Sequence, residues 1–296
     1  MNSTASPAPQ IRDTVANHKT MLNMLIALVP ALIAGIVIFG LRALLVMLIC
    51  VAFAVLSEFV YEKAMKKPVT VGDFSAVITG LLLAFCLPVT IPLWIAALGS
   101  IVAIVVVKQL FGGFGYNFAN PAITARVILL ISFGIEMSTN TFDGVSTATP
   151  LAGAKADALT LFLGQHAGTL GETCTLALLI GAIWLLIRKV ISWHIPVAYL
   201  ATVAVISLIT GQDVLVQLMG GGLLLGAVFM ATDPTTSPVS GLGKIIYGIG
   251  CGLLTMMIRL LGATPEGVSY AILLMNILTP HIDKIGAGKT AGGEAA

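Results

Sequence analysis

Gly80-Leu-Leu-Leu-Ala-Phe-Cys-Leu-Pro88 returns in altered form as Gly222-Leu-Leu-Leu-Gly-Ala-Val-Phe-Met230, which leads into Thr232-Asp-Pro234. Both stretches are apolar enough to lie in a bilayer. Both also carry glycine or proline where a helix would otherwise continue, so each reads as a membrane helix interrupted part-way. Downstream, Lys108-Gln-Leu-Phe-Gly112 has a counterpart in Arg259-Leu-Leu-Gly262, in the same order. Two matches in one order point to a duplicated unit.

The surrounding composition agrees with a membrane setting. The chain of 296 residues is 58% apolar and 9% charged, whereas a soluble domain carries about a quarter charged residues. About ten apolar runs are long enough to cross the hydrocarbon. They are predicted at 22–40, 42–61, 75–92, 93–110, 121–135, 172–188, 192–210, 214–231, 243–261 and 266–281. Five precede the polar stretch 136–171 and five follow it, so a duplicated unit enters the membrane from opposite sides. The expected fold is an all-α integral membrane protein of about ten transmembrane helices in two inverted five-helix repeats, with the third and eighth helices interrupted. The expected units are an N-terminal segment 1–21, repeats 22–135 and 172–283, a loop 136–171, and a flexible tail 284–296.

Orientation comes from the basic residues. With the N-terminus cytoplasmic, the inside set holds Lys63, Lys66, Lys67, Lys108, Arg126, Arg188, Lys189 and Lys244 among others, and the outside set only Arg42, Lys155 and Arg259. The positive-inside rule therefore places both termini in the cytoplasm and 136–171 outside. The polar start, broken by Pro7 and Pro9, lacks the short apolar core of a removable signal peptide. A formal charge of +2 gives no reason to expect nucleic acid. Cys50, Cys86, Cys174 and Cys251 fall singly in different runs, without metal or iron–sulfur spacing.

Three places carry candidate chemistry. In Phe111-Gly-Gly-Phe-Gly-Tyr-Asn-Phe-Ala-Asn-Pro121, the amides of Asn117 and Asn120 suit the hydrogen-bonding edge of a flat heteroaromatic ring, or else cap the helix that begins at Pro121. Asp143-Gly-Val-Ser-Thr-Ala-Thr149 is a small-residue stretch whose hydroxyls a modifying enzyme could reach, although by composition alone it is a solvated turn. Glu58, Asp73 and Asp233 are carboxylates at span ends and candidates for an ion pathway. No catalytic residue and no metal site is expected. Interrupted helices in a duplicated fold also fit a small-solute channel or permease.

Lys108-Gln-Leu-Phe-Gly-Gly-Phe-Gly-Tyr-Asn-Phe-Ala-Asn-Pro-Ala122, Asp143-Gly-Val-Ser-Thr-Ala-Thr149 and Met230-Ala-Thr-Asp-Pro-Thr-Thr-Ser-Pro238 separate these readings. Through them the chain resembles the family that contains the D subunit of Rnf-type complexes and the B subunit of the sodium-translocating NADH:quinone reductase, over about Ala8 to Asp283. The short polar start before Met21 favours the Rnf branch. In that family a flavin transferase recognises Asp-Gly-x-Ser/Thr-Gly/Ser-Ala-Thr and joins FMN to the last threonine by a phosphoester. Asp143, Gly144, Ser146 and Ala148 match, Thr149 is the attachment residue, and Thr147 departs from the usual glycine or serine.

The resemblance further implies a second, noncovalent flavin such as riboflavin near Asn117 and Asn120. It implies a bacterial or archaeal cytoplasmic membrane, and an electron-relaying role within a ferredoxin:NAD+ oxidoreductase that moves Na+ or H+. The implied partners are membrane iron–sulfur and flavin subunits and peripheral ferredoxin- and NADH-interacting subunits.

Overall fold

The computed structural model describes residues 14–139, 141–142, 145–146, 149–152, 157–262 and 266–290. Asp143, Thr147 and Ala148 of the expected flavin motif lie outside them, as does Gly144; Thr149 lies within. Apart from two-residue strands, Thr141–Phe142 and Val145–Ser146, which pair antiparallel, the regular structure is helical.

Gly40 alone, at φ +71°, separates α1 (Thr14–Phe39) from α2 (Leu41–Ala64), a reversal that only a residue without a Cβ makes easily. A 3-10 turn, Val71–Asp73, leads into α3 (Ser75–Phe85). At 11 residues α3 is about 16 Å long, roughly half the hydrocarbon thickness. The chain then runs without helix to Pro92, which precedes α4 (Leu93–Ile101). That helix continues into a π-helical stretch, Val102–Gln109, whose wider turn shows in the bond from Leu110 N to Val105 O at 3.0 Å. Next come α5 (Pro121–Ser132), α6 (Gly134–Ser138), α7 (Ala158–Leu163), α8 (Thr175–Ile187) and α9 (His194–Ile209).

The second interruption falls at Gly220–Gly222. Here α10 (Val214–Met219) ends, Gly221 and Gly222 take φ of +67° and +68°, and α11 (Leu223–Leu225) begins and widens into a π stretch, Gly226–Met230. The last helices are α12 (Gly241–Leu261) and α13 (Val268–Thr290).

Among the described residues, three helices are long and apolar enough to cross a bilayer unaided: His18–Phe39, Leu41–Ala64 and Gly241–Leu261. Ser75–Phe85, Leu93–Gln109, Pro121–Ser132, Thr175–Ile187 and His194–Ile209 are apolar but shorter. The chain is thus a multi-pass, all-helical membrane protein. The expected third span 75–92 is a half-length helix followed by turns, and the expected eighth, 214–231, is two pieces. Proline and glycine ended these helices before the apolar run ended.

Contacts fix how the helices run. In the α1–α8 pair, Asn23 accepts from Arg188, Ala27 abuts Gly181 and Gly35 abuts Leu170, so the two are antiparallel. By contrast α2 and α4 run the same way, with Arg42 donating to the Ile91 carbonyl at one end and Glu58 bonded to Lys108 at the other. A similar parallel pair forms from α9 and α12, where Gly248 lies on Ala198 and Tyr199 bonds to Thr255. The interrupted helices meet at Cys86 and Met230, whose sulfurs are 4.0 Å apart.

At Gly181 a Cβ would lie 2.2 Å from the Ala27 carbonyl oxygen and 2.8 Å from the Phe229 ring. Replacing a helical glycine by alanine gains about 1 kcal/mol of propensity, but forcing backbone apart in a close-packed contact costs about 1–3 kcal/mol. The clash is with backbone, which cannot rotate away, so the loss wins. Gly181→Ala is expected to lower the melting temperature of the detergent-solubilised protein, whereas Gly134→Ala, where a Cβ meets nothing within 4 Å, is expected to leave it unchanged.

Candidate functional site

Polar side chains gather in two regions at opposite ends of the helices. The first lies where α2 and the π stretch after α4 finish. Glu58 and Lys108, 0% and 1% exposed, form an ion pair at 2.5 Å. Lys108 also donates to the Ser75 hydroxyl at 2.6 Å, and the Gln109 amide donates to Glu58 at 2.9 Å and Glu62 at 3.3 Å. Glu62 in turn accepts from Thr70. A chain of hydrogen bonds therefore leads from the helix ends to a fully buried carboxylate. Glu58 and Lys108 stand near helix ends, where the sequence reading has them, but inside the protein rather than in solvent.

Asp73 has a local task. Its Oδ1 accepts from the backbone N–H and hydroxyl of Ser75, fixing the entry to α3.

Beside this network is a cavity of about 50 Å³, lined by Ser75, Thr79, Lys108, Asn117, Asn120 and Asp233 among others. That volume holds a few waters. Asn120 Oδ1 caps α5, accepting from Ala122 N at 3.0 Å and Ile123 N at 3.3 Å, and its amide nitrogen reaches Met230 O and Asp233 Oδ2, each at 3.4 Å. Its amide is therefore spent on tying α5 to the turn after Met230. Asn117 differs, because its buried Oδ1 has no partner among the described residues. Of the two amides, Asn117 alone offers the cavity an open acceptor. Burial pushes the Asp233 carboxyl above the ordinary carboxylate range, against the hydrogen bonds donated by the Thr235 backbone and hydroxyl.

Removing Asn120 deletes both a helix cap and a tie between segments. Asn120→Ala is expected to cost about 1–2 kcal/mol, read as a lower melting temperature; Asn117→Ala is expected to leave that temperature unchanged.

The second region lies at the other end of α12. Arg126, 4% exposed at its side chain, bonds to Glu266 Oε2 at 2.5 Å and donates to the Ser269 hydroxyl at 2.9 Å. Expected among the cytoplasmic charges, Arg126 is instead buried and paired, so it does not report topology. Arg259 donates to the Gln217 carbonyl at 2.6 Å and the Gly220 carbonyl at 3.1 Å, closing the end of α10. Leu151 lies against Gly220 and Gly221, so the turn Pro150–Ala152 is docked on the helix break. Two residues earlier in the chain, Thr149 is half-buried. The structure does not bring Asn117, Asn120 or Asp233 to Thr149, since they belong to the opposite end.

Sequence reasoning singles out Glu58 but misses its pairing with Lys108, and it misses the Arg126–Glu266 pair altogether. The available signal is an ionisable residue inside or beside an apolar run.

Known proteins resemble this chain along its length. The NQR2, RnfD, RnfE family is matched over residues 4–292. The D subunit of the Na(+)-translocating ferredoxin:NAD(+) oxidoreductase complex of Acetobacterium woodii is 49% identical, covering 96% of this chain and 93% of that protein. Its counterpart in the proton-translocating ferredoxin:NAD(+) oxidoreductase complex of Clostridium ljungdahlii is 40% identical, covering 95% and 93%. The D subunit of the ion-translocating oxidoreductase complex of Stutzerimonas stutzeri is 38% identical, covering 96% and 94%. With that coverage and identity, the chain belongs to the NQR2, RnfD, RnfE family.

Proposed function

We propose that this chain is the D-type membrane subunit of an Rnf-like oxidoreductase complex that couples electron transfer between ferredoxin and NAD+ to movement of Na+ or H+, and that it carries FMN as a phosphoester on Thr149. The observation that carries the reading is the 49% identity to the Acetobacterium woodii protein over nearly the full length of both chains. The docked turn supports the flavin assignment: Thr149 is half-buried, and Leu151, two residues on, anchors the turn on Gly220 and Gly221. A hydroxyl held in that way is reachable by a flavin transferase and afterwards keeps its substituent at a fixed place. When bound, the flavin supplies one-electron chemistry. The chain's part is to position it, while Asn117 offers a hydrogen-bond acceptor for a second, noncovalent flavin such as riboflavin if the cavity walls part.

The two halves of the chain read as inverted repeats, with both termini cytoplasmic and the Thr149 loop outside. Supporting this, equivalent helices pair antiparallel as α1 with α8, while α2–α4 and α9–α12 make equivalent parallel pairs. The partners are the complex's other membrane and peripheral subunits. Intact mass of the purified chain tests the flavin assignment. An increment of one FMN less one water, on the peptide containing Thr149, is expected, and an unmodified peptide from a host with active flavin transferase refutes it.

A further inference from the structure

Glu172 sits in the buried loop before α8, 4% exposed, and its two carboxylate oxygens differ. Oε1 accepts from the Thr169 backbone N–H at 3.0 Å. Oε2 is buried with no partner among the described residues, as is the hydroxyl of Thr169. Leaving a buried carboxylate oxygen unpaired is costly, so such an atom is normally satisfied by water, an ion or a side chain that moves to it.

The space in front of Oε2 is kept by a glycine. A Cβ on Gly222 would lie 3.1 Å from Glu172 Oε2 and 3.9 Å from Arg126 Nη1, so both approach the same point over the break in the eighth segment. Arg126 is meanwhile engaged by Glu266 and Ser269, with its Nε unpartnered among the described residues. The charged groups about this point are Arg126 from α5, Glu266 ahead of α13 and Arg259 from α12. Two arginines thus face two carboxylates: Arg259 is held by the carbonyls of Gln217 and Gly220, and Arg126 is bonded to Glu266 but not to Glu172.

We propose that Glu172 is a carrier site for the translocated monovalent cation, loaded at Oε2 over Gly222, and that Arg126 alternates between Glu266 and Glu172 so that the carboxylate it leaves is the one that holds the ion. A permanently charged guanidinium expels a cation from whichever carboxylate it joins, which gives the site a way to release its load. Oxygen donors and a single negative charge suit Na+ or a proton; neither requires a soft ligand. The inference rests on the ion-translocating reading above.

The test uses the complete complex in proteoliposomes, driven by reduced ferredoxin and NAD+, with ²²Na+ uptake and an internal pH dye read in parallel. For Glu172→Gln, ion uptake per electron is expected to fall and, in a Na+-driven complex, the apparent KM for Na+ to rise by about tenfold or more, with flavin on the Thr149 peptide unchanged. Loss confined to ²²Na+ uptake identifies Na+ as the load, and loss of the pH signal identifies the proton. Glu172→Asp keeps the charge but withdraws the oxygen, and an intermediate loss is expected. Wild-type uptake in Glu172→Gln overturns the proposal. So does wild-type uptake in Glu172→Asp should the glutamine variant not assemble. Absence of uptake in the unaltered complex would instead refute the translocation reading itself.

Discussion

Thr149→Ala is expected to abolish flavin fluorescence of this chain on a denaturing gel, because a phosphoester needs a hydroxyl and alanine has none. Thr149→Ser keeps the hydroxyl and is expected to retain part of the signal. The helices are expected to remain intact, since the turn is held by Leu151 against Gly220 and Gly221, two residues beyond the change. Electron transfer through the complex should therefore fall by orders of magnitude while the melting temperature stays put. Persistent fluorescence in Thr149→Ala would place the link elsewhere, and unchanged electron transfer would reduce the chain to a scaffold.

Breaking the Glu58–Lys108 pair from one side is the most destabilising substitution the structure predicts. Both side chains are fully buried, so Glu58→Leu leaves an ammonium among apolar helices with Ser75 as its remaining partner. Stranding one member of a buried pair costs about 3–5 kcal/mol, whereas replacing both by apolar residues is often neutral. Glu58→Leu and Lys108→Met are each expected to lower yield and melting temperature severely, and the double variant to recover most of the loss. Ion uptake in that double variant separates packing from transport: recovered folding without recovered uptake assigns the pair to the ion route.

Why these pairs are less legible than the fold follows from where their partners sit. Pro88, Pro92 and Gly220–Gly222 act through their own backbone, so these helix interruptions can be read from the local chain, whereas Gly80 lies inside α3 and serves its close approach to α2. Asn120 before Pro121 is likewise a local signal: the cap is there, whereas its amide nitrogen goes to Met230 and Asp233, partners that the local chain does not show. Lys108 and Glu58, in contrast, lie on different elements, as do Arg126 of α5 and the Glu266 that precedes α13. Their partnership comes from packing, and a hydropathy window registers only an isolated charge near the end of a span. Glu172 is hidden for a related reason: it falls at the edge of a polar stretch, and Gly222 of the distant helix break lies against its carboxylate.

Phe85 and Leu87, at the carbonyl end of α3, accept hydrogen bonds from the backbone N–H groups of Gly171 and Leu170. During biosynthesis those amides reach the membrane only after α5 has left the ribosome. Until then the nascent first half carries these peptide oxygens without the partners they have in the folded chain, and inside the apolar phase an insertase must shelter them with water or protein. A chain ending before the loop should be recognised by quality-control proteases as incomplete, so the halves are interdependent for maturation even though each supplies its own set of helices.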